Sequence, residues 1–122
     1  MADEIVITVL AELINGNFKD RIDHGQQKFD QTAIGASSNV VNVGTSEEDV
    51  AVGDVTTLGW CFVRNLDTTN YVTWGPKSSG AMVGVGRIEA GEVICFRLEP
   101  GVTLRWIANT ASCLVDIRIF ED

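Results

Sequence analysis

The sequence predicts an all-β protein, an antiparallel β-sandwich of jelly-roll type with an extended N-terminal segment. Three observations carry this expectation. Between Gly91 and Asp122 the side chains alternate in three runs, and a period of two is the signature of strands. The polar breaks Glu99-Pro100-Gly101 and Asn109-Thr110-Ala111-Ser112 separate these runs, and breaks this short join antiparallel neighbours. Glycines at positions 16, 25, 35, 44, 53 and 59 follow the spacing of turns between short strands, and the chain holds only two prolines. Seven to nine short strands with little helix close as a two-sheet sandwich or jelly roll rather than as a barrel.

Taken in order, Glu4 to Ile14 admits a helical stripe, but Ile5-Val6-Ile7-Thr8-Val9 is β-branched throughout and reads as a strand. It ends at Asn15-Gly16-Asn17, and residues 1–16 are expected to form an N-terminal strand or arm ahead of one β-sandwich domain over 17–122. Apolar residues on both sides of this strand imply burial on both sides, within the domain or against another subunit. Phe18 to Gln31 is one edge strand or a pair around His24-Gly25. Asn39 to Val43 is a strand, and Glu47 to Asp54 sets Val50 and Val52 between acidic residues. From Trp60 to Leu66 the chain places Trp60 and Phe62 opposite Cys61 and Val63. Asp67-Thr68-Thr69-Asn70 turns into a strand from Tyr71 to Trp74, and Gly75 to Gly80 is an open loop before Ala81 to Ile88. The last three runs read as a meander. Their inner row holds Ile94, Phe96, Leu98, Leu104, Trp106, Val115 and Ile117, and their outer row holds Arg97, Arg105, Ile107, Leu114, Asp116, Arg118 and Phe120.

A chain of 122 residues with 45% hydrophobic and 21% charged residues is one ordinary globular domain rather than a disordered tail. Its formal net charge is -8 and its Lys and Arg are scattered, which argues against nucleic acid as a direct partner because phosphate neutralisation needs clustered cations. No apolar stretch of about 18 residues exists to form a membrane span. The start Met1-Ala2-Asp3-Glu4 is acidic where a secretory signal is basic, so folding in the cytoplasm is expected. Cys61, Cys95 and Cys113 are widely spaced and odd in number, which fits reduced core residues rather than disulfides or metal ligands.

Chemistry is sparse, and no catalytic, cofactor-binding or metal-binding residue is assigned. The single histidine, His24, lies in a polar segment and reads as a solvated turn residue rather than a general base. Asp49, Asp54 and Asp67 lack the spacing of a calcium loop, and zinc-ligand spacing is absent. Gly84-Val85-Gly86 lacks the third glycine and the helix of a phosphate loop and reads as a bulge or packing position. Trp60 and Trp106 are expected in the core. Trp74, beside Gly75-Pro76, is the candidate for an exposed aromatic platform, stacking on a sugar ring or anchoring an interface. The outer row of the last three runs is too apolar for a solvated sheet, and Ile107, Leu114 and Phe120 either meet a partner or form a second core under a loop. With Ile5, Ile7, Val9 and Trp74 they are the candidate interface residues.

Two stretches of the chain carry a resemblance. One runs from Gly53 through Arg64-Asn65-Leu66-Asp67 to Asn70-Tyr71-Val72-Thr73-Trp74-Gly75, and the other from Ala90-Gly91-Glu92-Val93 through Arg97-Leu98-Glu99-Pro100 to Ala108-Asn109-Thr110-Ala111. They resemble the pieces R-N-L-D-x-T-N-Y-V and G-E-x-x-x-x-R-L-x-P of a family of small phage virion proteins of the capsid decoration, or cement, kind. The resemblance implies a β-sandwich without enzymatic activity or cofactor, assembled in the host cytoplasm and bound to the exterior of the capsid. Its implied partners are the major capsid protein and further copies of itself, as a dimer or trimer, with the N-terminal segment adding a strand to a neighbour. Related sandwiches occur in tails and head fibres, where the function is binding of host-surface carbohydrate.

Overall fold

Among the described residues, 4–32 and 34–122 of the computed structural model, there are eleven strands and no helix, so the all-β expectation holds. The chain divides into two units, Met1–Ala33 and Ile34–Asp122.

The first unit is a two-stranded antiparallel ribbon. Strand β1 (Ile5–Asn15) turns at Gly16, which takes the left-handed φ of 58°, into strand β2 (Phe18–Phe29). The register runs from Ile5 opposite Phe29 to Asn15 opposite Phe18 and shifts once, between Val9 and Leu10. There Val9 faces Gly25, Leu10 faces Asp23, and His24 is the extra residue of a bulge in which Gly25 adopts φ 66°. His24-Gly25 therefore kinks one continuous strand and does not join two. The expected boundary at residue 16 falls in the hairpin turn. A lone arm over 1–16 leaves its backbone groups unpaired, and β2 supplies their partners. Residues 1–3 of that arm lie outside the described residues.

The second unit holds two antiparallel sheets. Their strands are β3 (Ala36–Val43), β4 (Glu48–Asp49), β5 (Leu58–Asn65), β6 (Val72–Ser78), β7 (Ala81–Met82), β8 (Gly86–Ile88), β9 (Val93–Arg97), β10 (Leu104–Ala108) and β11 (Cys113–Glu121). One sheet has the order β3-β11-β5-β9. The other has β4-β10-β6, with β7 and β8 pairing to opposite ends of β6. The segment expected as an open loop from Gly75 to Gly80 mostly continues β6, and Ser79 and Gly80 (φ 53° and 84°) form the tight turn into β7.

The last three strands are not a meander. β9 pairs with β5, β10 with β4 and β6, and β11 with β3 and β5, so consecutive strands lie in different sheets. The break at Glu99-Pro100-Gly101 crosses between sheets. Leu98 N–H still bonds Gly59 C=O in the first sheet, and Thr103 C=O accepts from Lys77 N–H in the second. Strand alternation is a local property and survives this change of partner, which is why the faces were legible and the pairing was not.

The inward rows of both sheets form one core. Val43, Cys61, Val63, Val115, Ile117 and Ile119 come from the first sheet, and Val72, Ile88, Trp106 and Ala108 from the second. Trp60 and Phe62 share the outer row of β5, so Trp60 is half-buried there rather than a core residue as expected. All three cysteines are free; Cys61 and Cys113 are buried, whereas Cys95 is exposed on the outer row of β9. Burial, and secondarily the neighbouring Cys95, pushes the Cys61 thiol up to about 12. A thiol reagent at pH 8 is expected to titrate one cysteine rapidly in the folded protein and all three in denaturant. Three rapid thiols in the folded protein would contradict this core.

Candidate functional site

The bulge decides which side chains of β2 share a face of the ribbon. On β2, Phe29 has odd parity while Ile22 and Phe18 have even parity, so an unbroken strand puts them on opposite faces. The extra residue at His24 reverses the alternation and brings Phe29, Ile22 and Phe18 to the face of Ile5, Ile7, Val9, Ala11 and Leu13. Opposite them lie the β2 row Lys19, Arg21, Asp23, Gln26 and Lys28 and the β1 row Val6, Thr8, Leu10, Glu12 and Ile14. Of the expected contact residues, Ile5 and Ile7 are buried, whereas Val9 is exposed. Leu13, Ile22 and Phe18 continue its face, 47–62% exposed. The sequence signal for these three was present in Phe18 and Ile22, but it took the hairpin register set by the Gly16 turn to put them on the face of Leu13.

The outer faces of the second unit separate the other expected residues. Leu114 and Phe120 lie on the outer face of the first sheet, and Ile107 on that of the second, so the three do not form one surface. Leu114 is 53% exposed, beside Asn42 on β3, and the neighbouring apolar residues Val40 and Val93 are 62% and 60% exposed. Phe120 is half-buried against Phe62, ring centroids 5.1 Å apart. Ile107 is half-buried opposite Thr73 on β6. Trp74 is not a platform. It points inward from β6 and stacks on Phe96 of β9 at 4.8 Å with the rings 6° from parallel, sealing the two sheets together. Gly86 is small because a Cβ there meets the Trp74 indole.

The charged outer residues form ion pairs. Arg105 donates Nε to Asp49 Oδ1 on adjacent β4 at 2.9 Å and Nη1 to Glu47 Oε1 at 3.3 Å. Arg97 binds Asp122 at 2.6 Å, and Arg118 lies 3.6 Å from Asp116 on its own strand.

The stretch Arg64 to Tyr71, which carries the resemblance, builds a loop-end hub. Asn65 is fully buried and donates Nδ2 to the carbonyls of Asn70 (2.9 Å) and Ile88 (3.1 Å), while its Oδ1 accepts from Asp67 N–H (3.0 Å). Its backbone pairs with Glu92 C=O and Gly91 N–H, so one residue ties the β5–β6 and β8–β9 connections together. Asp67 Oδ2 accepts from the N–H groups of Asn70 (2.6 Å) and Thr69 (3.0 Å), Thr110 donates to Asn70, and Arg87 lies over the Tyr71 ring at 3.8 Å. The Asn70 and Thr69 amides hold the Asp67 carboxyl below the usual carboxylate range. These roles are structural.

An open cavity of about 260 Å³ lies where the segment after β4, the start of β5 and the β9–β10 connection meet. Val50, Val52, Leu58, Leu98, Val102 and Leu104 line it, with Asp49 and Thr103 as its polar members. It gathers no nucleophile beside a base. Among the described residues no three His, Cys, Asp or Glu side chains are grouped to hold a metal ion, and His24 is exposed on the ribbon. In comparison with known proteins, the chain matches no protein-family model and no curated protein.

Asn65→Ala strands two carbonyls and one N–H at the hub and is expected to cost about 2–4 kcal/mol in denaturant unfolding; a loss under about 0.5 kcal/mol contradicts the hub. Asp67 has a lowered folded pKa, so its stabilisation is present above the unfolded value and drains as pH falls through the folded one. Asp67→Asn is expected to flatten the acid limb of the melting-temperature profile below the ordinary carboxylate pKa, and an unchanged slope there contradicts the assignment.

Proposed function

We propose that this protein is a bacteriophage capsid decoration protein, a non-enzymatic jelly-roll sandwich that binds the exterior of the head and reinforces contacts between major capsid protein subunits. The observation that carries the reading is the ribbon, a pair of long strands whose far half holds Val9, Leu10, Leu13, Ile14, Phe18 and Ile22 at 44–67% exposure. An isolated hairpin of this kind is marginal in water, so such a face belongs against a partner.

Three further features support it. The strand orders β3-β11-β5-β9 and β4-β10-β6-β8, with the chain crossing between sheets at every step except β6 to β8, are those of two interlocked Greek keys, an arrangement used by viral capsid and lectin domains. The resembling stretch from Arg64 to Tyr71 builds the hub that fixes one end of this unit. A net charge of -8 suits a surface separated from packaged DNA by the shell, and reduced cysteines suit assembly in the host cytoplasm. The alternative, a tail or head-fibre module that binds carbohydrate, loses the residue assigned to it, because Trp74 is stacked inside the unit.

Purified protein added to phage heads that lack it is expected to co-sediment saturably, at a copy number proportional to the shell subunits. Leu13→Asp should weaken this binding at least tenfold while the melting temperature of the second unit is kept. Absence of co-sedimentation by the unaltered protein overturns the reading.

A further inference from the structure

The two sheets of the second unit end on unequal edges. β4 and β7 are two residues long, β8 three and β9 five, and edges this short offer a foreign strand little to pair with. β3 is the exception. It ends its sheet over eight residues, Ala36–Val43, without a charge, a proline or a break in its register with β11. Among the described residues no second strand pairs with it. Glu121 N–H bonds Gly35 C=O, which makes that pair and every second one after it the hydrogen-bonded pairs of the β3–β11 ladder. Ser37, Asn39, Val41 and Val43 therefore direct their N–H and C=O groups to β11. Ala36, Ser38, Val40 and Asn42 point theirs away from the sheet, and all four residues are exposed.

We propose that β3 is a strand-addition site for an extended segment of a partner protein, one that carries an apolar and an acidic side chain two positions apart. The inference goes beyond the head-binding reading and does not depend on it. A segment laid along β3 takes up the outward N–H and C=O groups of Ser38, Val40 and Asn42, and the side chains around them select its sequence. Val40 is 62% exposed on the outer face, and a branched side chain beside it on the added strand removes both from water. Arg118 stands opposite Ser38 on β11, exposed, with Asp116 3.6 Å from its Nε. Ser38 is too short to screen it from a strand beyond β3. That strand lies about 10 Å from β11, a span that an arginine and a glutamate close between them. On the inner side Ser37 and Asn39 match polar neighbours. The β3 strand of a second copy is not this segment, because it holds no carboxylate to meet Arg118 and brings a net charge of -8 with it.

Nuclear magnetic resonance of the full-length protein, titrated with a capped peptide of repeating Val-Thr-Glu-Thr, tests this. The valines and glutamates of that peptide share one face and its threonines the other. The amide signals of Ser38, Val40 and Asn42 are expected to shift saturably, with Kd below about 1 mM. Val40→Pro deletes one outward N–H, which an edge strand tolerates, and should weaken the peptide at least tenfold. Arg118→Glu leaves the backbone of β3 untouched and should reverse the preference, so that the glutamate peptide weakens at least tenfold and a Val-Thr-Lys-Thr peptide tightens. Trp60, Trp74 and Trp106 all lie in the second unit, and their fluorescence melt reports whether each variant keeps that unit folded. Should Val40→Pro lower that melt, Arg118→Glu alone decides. An unaltered protein without saturable shifts overturns the proposal, as do shifts that avoid β3, full binding by folded Val40→Pro, or an unchanged preference in Arg118→Glu.

Discussion

Burial of the inward row of β11 is the interaction on which the second unit depends. Cys113, Val115, Ile117 and Ile119 are each at most 2% exposed. They stay dry because β11 has a strand on either side, β3 and β5, and the second sheet with Trp106 contributes to the same core. At roughly 1.5–3 kcal/mol for each large apolar side chain removed from water, this row alone outweighs any surface ion pair described above. The surrounding details serve it. Trp74 on Phe96 seals the two sheets, Asn65 pins two connections at one end, and Gly75 leaves room for the Val83 backbone to lie across β6.

The ribbon has no such row. Two strands cannot enclose a core, and beyond Ile7 the apolar side chains of β1 remain in water. The bulge at His24 and Gly25 puts the apolar residues of β2, Phe18, Ile22 and Phe29, on one face, while β1 keeps Val6, Leu10 and Ile14 on the other. One chain thus holds a unit with an interior and a unit whose apolar surface is turned out. The first supplies rigidity, and the second carries the contacts proposed for it.

Much of this was legible in residue order, and its limits were physical. Alternation over Cys113 to Phe120 identified the buried row correctly, and Asn15-Gly16-Asn17 marked a true hairpin turn. Pairing was not legible, because Glu99-Pro100-Gly101 looks the same whether the chain folds back beside β9 or crosses to the other sheet. That ambiguity assembled Ile107, Leu114 and Phe120 into one surface that the topology divides. It also hid Trp74, whose neighbours Gly75 and Pro76 suggested a loop while the chain continues as β6 with the indole inward. The extent of the ribbon was missed because a bulged glycine and a turn glycine share the same left-handed backbone. The motif from Arg64 to Tyr71 stood out in the sequence, but its meaning, a buried Asn bonded to two connections, needed the fold.

The central claim is that β1 is covered in the working state of the protein although nothing within its own ribbon covers it. Amide hydrogen exchange of the protein bound to phage heads, followed peptide by peptide, addresses this directly. The account predicts that amides of Val6 to Ile14 exchange nearly as slowly as those of Val115 to Ile119, with the outer row of β2 faster. Exchange of Val6 to Ile14 at the rate of an open hairpin, while Val115 to Ile119 stay protected, would contradict it.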